Sequence, residues 1–270
     1  MSANLALILT VLTFVSGVVV AINRLVWRYG LGPREPGDSS ETDGLAPELA
    51  EERQLSGFMM TIVDYSRSFF PVLFFVLIIR SFVFEPFRIP SGSMMPTLLQ
   101  GDFIFVKKYA YGLRLPVIET KVVETGAPRR GDVVVFRLPE EPSVNYIKRV
   151  VGLPGDQVTY RRHRLVINGE VVELDKAADA TAGNPKFVEQ LGQRQHDILI
   201  ENRSYTSGDG TFVVPEGHYF VMGDNRDNSR DSRFIGGIPE THLVGEAVRI
   251  WMHMDGLSWP RWDRIGDKIQ

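Results

Sequence analysis

The sequence predicts a mainly β domain of twisted antiparallel sheets, carrying an inserted subdomain and preceded by two transmembrane helices. Three observations lead there. The most apolar stretches of this 270-residue chain are gathered in two N-terminal blocks. Beyond about Phe87 the pattern becomes one of short β-branched and aromatic runs separated by Gly, Pro and Asn. No helical period longer than a few turns follows the second block, so sheets must cover the core.

The first 23 residues hold no charged side chain. Leu5 to Ile22 is an almost pure apolar run of about 18 residues, close to the roughly 20 that cross a bilayer. A cleavable signal peptide would need a basic start, which Met1 to Asn4 lacks, so residues 1–23 are read as a retained span. Residues 62–84 are read as a second span, centred on the run Phe69 to Ile79. Arg80 is placed to snorkel to the headgroups, and Pro71 near the start kinks such a helix without forbidding it. Arg24, Arg28, Arg34, Arg53 and Arg67 lie between the two apolar runs, whereas the N-terminal tail has no Lys or Arg. That bias puts residues 24–61 in the cytoplasm, and the N-terminus and residues 85–270 outside. Pro33 to Glu52, rich in Gly, Pro, Ser and acids, reads as a disordered linker.

In the exported part, Asp102 to Lys108, Asp132 to Leu138 and Asn145 to Val151 read as strands, with Pro139 to Ser143 as a turn. Gln157 to Tyr160 and Arg164 to Ile167 bracket a basic turn, and Asn168-Gly169 signals a hairpin. Glu173 to Ser207 turns polar and aperiodic. It reads as an insert on the core rather than part of it, with outer bounds near 157–210. Strands resume at Thr211 to Val214, His218 to Met222 and Leu243 to Met252. Trp251, Trp259 and Trp262, with Arg261 and Lys268, have the composition of an interfacial belt, although Trp251 fits a core position equally well.

The absence of cysteine removes thiol catalysis and disulfides, and a net charge of −3 argues against nucleic-acid binding. A serine pair, Ser91 and Ser93, stands in Pro90-Ser91-Gly92-Ser93-Met94-Met95-Pro96, just beyond the second span. Serine is a weak nucleophile without a base beside it. None of the five histidines lies in a recognisable triad block, which leaves lysine. Lysine serves as a base only when neutral, and burial is the usual way to favour that form. Lys148 lies in Tyr146-Ile147-Lys148-Arg149, where strand alternation gives it apolar neighbours on its own face; Arg149 has the same on the other, so a surface lysine remains the alternative. The block Gly223-Asp224-Asn225-Arg226-Asp227-Asn228-Ser229-Arg230-Asp231-Ser232-Arg233 fits no calcium loop in either frame, because Arg226 or Ser232 falls where a ligand or glycine is needed. It reads as a turn of Asx side chains, with no metal.

Together, in this order, the three blocks resemble the type I signal (leader) peptidases of bacteria, over roughly Phe87 to the C-terminus apart from the insert. The resemblance implies a serine endopeptidase of the inner membrane, with its catalytic domain on the periplasmic side and a fold of the signal peptidase and LexA kind. It implies Ser93 as nucleophile, Lys148 as general base, and an oxyanion hole of the Ser91 hydroxyl and the Ser93 N–H. It gives Ser229 the task of orienting the lysine, and makes Asp231 and Arg233 a bracing ion pair. Phe87, Ile89, Pro90, Met94, Ile104, Val135, Tyr146 and Ile147 would line pockets for small residues at an A-x-A-like site; Ile104 and Val135 are equally readable as plain core. No cofactor is implied. The implied partners are secretory preproteins and membrane phospholipids, with the secretion translocon as an open alternative. Familiar members often carry alanine where this chain has Arg230. Self-cleaving repressors share the dyad but carry a DNA-binding N-terminus, where this chain has apolar spans. A membrane-anchored scaffold without chemistry has no account of the three blocks together.

Overall fold

The computed structural model describes residues 2–29, 47–115, 120–177, 185–201, 208–254, 259 and 261–269. It contains two compact units, an N-terminal helical pair and a β domain. In the first, α1 (Ser2–Arg28) and α2 (Pro47–Ile78) are long helices, and α2 ends in a π-helical turn over Ile79–Val83. Their apolar stretches, Leu7–Arg28 and Gly57–Val83, are long enough to cross a membrane. A methyl on Gly17 would meet the Phe70 ring at 2.8 Å, so glycine is what lets the two helices approach here. Thr13 and Ser16 return their hydroxyls to the carbonyls of Leu9 and Leu12, leaving no free polar group in an apolar setting. The expected linker ends sooner than its composition suggested. Pro47 opens α2, because proline suits a first helical position and the Glu, Leu, Ala and Gln that follow are strong helix formers. Residues 33–46 of that linker lie outside the described residues.

The β domain starts with β1 (Phe84–Arg88), β2 (Asp102–Lys107), β3 (Leu113–Arg114) and β4 (Lys121–Val123). Next come β5 (Val133–Leu138), β6 (Glu141–Gly152), β7 (Gln157–Arg161), β8 (Arg164–Ile167) and β9 (Glu170–Val171). The insert region contributes β10 (Leu174–Lys176), β11 (Lys186–Leu191) and β12 (Arg194–Leu199), followed by β13 (Gly210–Val213) and β14 (His218–Met222). A helical turn α3 (Ser232–Ile235), β15 (Ile238–Pro239) and β16 (Leu243–His253) complete it. The main sheet runs β1-β2-β16-β5-β6-β14-β15, flanked by a β13-β7-β8-β9 sheet and a β10-β11-β12 sheet, every pairing antiparallel.

The turn expected over Pro139 to Ser143 is tighter. Leu138 already pairs with Glu141, and Pro142 sits in the strand at its exposed hairpin end, beside a register shift, where a missing N–H costs little. Asn168 and Gly169 both take positive φ, as a two-residue primed turn requires. The larger correction concerns the insert. Val158, Tyr160, Leu165, Ile167 and Leu191 share one apolar cluster with Val151, Phe220 and Met222 of the main sheet, so β7, β8 and the end of β11 contribute to the core.

A second cluster, on one face of the main sheet, joins Ile89, Met94, Leu98, Ile104, Val106, Val133, Val135, Ile147, Ala247 and Ile250. A third, on Tyr111, Val134, Phe136, Val150, Tyr219 and Val221, covers the other face. Strand β6 therefore passes between two dry layers. Trp251 stacks on Phe105 at 5.6 Å, while Trp259 and Trp262 are largely exposed.

Candidate active site

Strand β6 carries two adjacent cations into the interior, and they meet different fates. Arg149 is fully buried and bidentate to Asp224, with Nε to Oδ1 at 2.8 Å and Nη2 to Oδ2 at 2.6 Å. Its Nη1 donates to the Gly131 carbonyl at 2.8 Å. Lys148, 3% exposed, has no ion-pair partner among the described residues. Its Nζ donates to Ser93 Oγ at 2.7 Å and to the Ile147 carbonyl at 2.8 Å, and lies 5.4 Å from the centre of the Tyr146 ring. A buried amine without a counter-ion favours its neutral form. Burial lowers the Lys148 pKa to about 8; the charges of Asp231 and Asp224 oppose the shift and Arg233 assists it.

Ser93 is held by its backbone. The loop after β14 donates from Asn225 N to the Ser93 carbonyl at 3.1 Å and from Asn225 Nδ2 to the Gly92 carbonyl at 3.2 Å. Gly223 makes that approach possible, since a methyl there would stand 2.5 Å from the Ser93 carbonyl and collide with the Ser229 hydroxyl. Just beyond the serine, Thr97 Oγ1 donates to Asp224 Oδ2 at 2.5 Å, so the Arg149–Asp224 pair also grips the segment that carries Ser93. Ser91 is exposed, and its Oγ is 3.5 Å from Ser93 Oγ.

The acidic block is braced from within. Asp231 takes Arg233 Nε and Nη2, each at 2.8 Å, and accepts the Gly223 N–H at 3.0 Å. Arg226, 1% exposed, is bidentate to Glu189 of β11. Burial would push the Asp224 and Glu189 carboxyls up, but the charges of Arg149 and Arg226 hold both below the usual range. His196 lies 3.3 Å from Glu189, and burial, with the nearby Arg149 charge, lowers its pKa below the usual histidine value against the opposing charges of Asp224 and Glu189.

A family model described as "Signal peptidase, peptidase S26" matches residues 62–252. The chain belongs to that family. It is 46% identical over 278 residues to a signal peptidase I of Pseudomonas fluorescens, spanning 96% of this chain and 94% of the relative. A signal peptidase I of Pseudomonas aeruginosa is 45% identical over 277 residues with the same coverage. A crystal structure of a signal peptidase I from Enterococcus faecalis aligns with a TM-score of 0.31 and 30% identity, covering 44% of this chain and 96% of that one. This peptidase is thus a hydrolase with two N-terminal apolar helices suited to a membrane anchor.

Most of the site residues named from sequence come together. Ser93 and Lys148 are in contact, Ser91 is beside them, and Asp231 pairs with Arg233. One role differs: Ser229 makes no hydrogen bond to Lys148. Its buried hydroxyl has no hydrogen-bond partner among the described residues and packs against Gly223, while Lys148 donates to Ser93 and Ile147. Of the pocket residues, Ile89, Met94, Ile104, Val135 and Ile147 form a continuous buried wall, with Phe87 packed against it. Tyr146 belongs to the opposite layer beside Phe136, and Pro90 is exposed. Arg230 makes only a surface pair with Glu140. Sequence reasoning missed Arg149–Asp224, Thr97 and Glu189–Arg226. The first lay in two motifs already singled out, and an arginine inside a run of strand residues was its signal. Glu189 had none.

Proposed function

We propose that this peptidase removes N-terminal signal peptides from exported preproteins, with Ser93 as nucleophile and Lys148 as general base, cutting after small residues. The observation that carries the reading is the 2.7 Å contact between Ser93 Oγ and the buried Lys148 amine, whose pKa is lowered to about 8. Neutral Lys148 takes the Ser93 proton as Oγ attacks the carbonyl carbon, and the resulting oxyanion is held by the Ser93 N–H and the Ser91 hydroxyl. The lysine then passes its proton to the leaving amine as the C–N bond breaks, leaving an ester on Ser93. Water deprotonated by Lys148 cleaves that ester and restores the serine.

An extended substrate would pair with two free strand edges. β1 ends the main sheet, and β14 meets β6 only from Arg149 onward, leaving Asn145 to Lys148 open on that side. The wall of Ile89, Met94, Ile104, Val135 and Ile147 is already closed, so a side chain docking on it has little depth and alanine-sized groups fit best. The anchor adds to this, because a substrate whose apolar segment shares the bilayer meets the site at high effective concentration.

Cleavage of a purified preprotein in detergent tests the chemistry. The wild type cuts after the small residue, whereas Ser93→Ala and Lys148→Ala do not; full activity in either variant overturns the dyad. For location in the inner membrane with the catalytic domain outside, the cysteine-free sequence supplies a clean background. A membrane-impermeant thiol reagent added to intact cells should label Ser143→Cys and spare Ser39→Cys. The reverse pattern inverts the topology.

A further inference from the structure

The insert reaches the loop beside Ser93 through a buried ion pair and a short backbone bridge. Hairpin β11–β12 presents Glu189, 2% exposed, to Arg226, and each carboxylate oxygen takes one guanidinium nitrogen. The remaining donor, Arg226 Nε, goes to the Gly223 carbonyl at 3.2 Å. The Arg226 backbone is held as well: its N–H donates to the Leu199 carbonyl at 2.9 Å, and its carbonyl accepts Arg233 Nη2 at 2.7 Å. The Leu199 N–H in turn donates to the Asp224 carbonyl at 2.9 Å, forming a short parallel bridge between the end of β12 and the 223–226 loop. Asn225, inside that loop, makes both hydrogen bonds to the Gly92 and Ser93 carbonyls. The hairpin tip is clamped too, by Arg194 to Asp132 at 2.7 Å, one residue from the Gly131 carbonyl that Arg149 holds.

From this connectivity we infer that Glu189 is a positioning residue for the reaction: by fixing Arg226 it sets the height of the 223–226 loop, and through Asn225 the placement of Ser93. The inference rests on Ser93 being the nucleophile. Arg226 uses all three of its nitrogens, so a guanidinium released from Glu189 also loses its aim at Gly223. Asn225 then no longer holds the Ser93 carbonyl at its present height, and the Ser93 N–H moves from the place where the oxyanion forms. Displacements of about 1 Å at such a centre cost on the order of 100-fold in rate. The charges acting on Lys148 come from Asp231, Asp224 and Arg233, none of which is altered by changing Glu189.

The experiment uses the full chain in detergent with a signal-peptide substrate, comparing wild type, E189Q, the charge-balanced double variant E189Q/R226Q, and Ser93→Ala as control. Rates are taken well below each unfolding midpoint and normalised to the folded fraction from tryptophan fluorescence. E189Q should lower kcat by about 10- to 100-fold with KM changed less than about twofold, because an interaction felt mainly in the transition state is lost. The acid limb of its pH profile should not move. In the double variant the buried unpaired charge is gone, so thermal stability recovers while kcat stays low. A wild-type kcat per folded molecule in either variant means that Glu189 only stabilises the fold, and the proposal falls. An active Ser93→Ala removes the nucleophile assignment instead, so the two failures are distinguishable.

Discussion

Replacing Lys148 with methionine should abolish cleavage and, at neutral pH, make the protein more stable. An ordinary lysine with a pKa near 10.4 is neutral in about 0.04% of molecules at pH 7, whereas one at about 8 is neutral in about 10%, a gain of roughly 250-fold in competent base. The folded protein sustains that gain at a cost. Its Lys148 pKa lies below the unfolded value, so between about pH 8 and 10.4 the unfolded chain binds a proton that the folded one has shed. Stability therefore rises with pH through that window. Below about 8 both states are protonated, and the folded state carries the whole penalty, about 3 kcal/mol at ~1.4 kcal/mol per pH unit. Methionine removes that penalty and loses two hydrogen bonds, to Ser93 and Ile147, of about 1 kcal/mol each. The net expectation at pH 7 is a gain of about 1 kcal/mol that reverses by pH 10. Urea unfolding of the detergent-solubilised pair at both pH values measures it. The wild-type kcat/KM should meanwhile climb about tenfold from pH 6 to 7 and level off above about 8.5. A rate flat from pH 6 to 9, or an equal loss of stability at both pH values in the methionine variant, would refute the depressed lysine.

Three further outcomes follow from the geometry. Ser91→Ala should lower kcat by about 100-fold with KM little changed, the usual loss for one oxyanion donor, while an unchanged kcat in steady-state assays excludes the hydroxyl from that role. Asp231→Asn should shift the acid limb of the rate profile to lower pH, because the Asp231 charge now raises the lysine pKa and Arg233 lowers it. The same change removes the carboxylate charge from the buried ion pair with Arg233, so urea unfolding should show a loss of about 3 kcal/mol. Gly223→Ala should lower kcat by about 100-fold or more, since its methyl must displace either the Ser93 carbonyl or Ser229; wild-type turnover would show that the loop yields freely.

The sequence by itself determined the parts of this protein that depend on local order. Two charge-poor apolar runs dictate two long helices, and alternating β-branched runs with Asn-Gly and Pro-Gly breaks dictate short antiparallel strands. A serine pair, a lysine and an acidic loop in fixed order carry the family resemblance, and it is that resemblance that singles out Ser93, Lys148 and the Asp231–Arg233 pair. Tertiary structure decided which charges are neutralised. Lys148 and Arg149 are neighbours with equally apolar flanks in the sequence, and alternation along β6 cannot distinguish them. Only the folded chain brings Asp224, from a loop distant in sequence, onto Arg149 and leaves Lys148 without an ion-pair partner among the described residues, and that difference separates a structural cation from the proposed base. The insert shows the same limit. Its polar, aperiodic composition suggested an appendage, because burial of Glu189 is tolerated through Arg226, a partner outside the insert that no local pattern reveals.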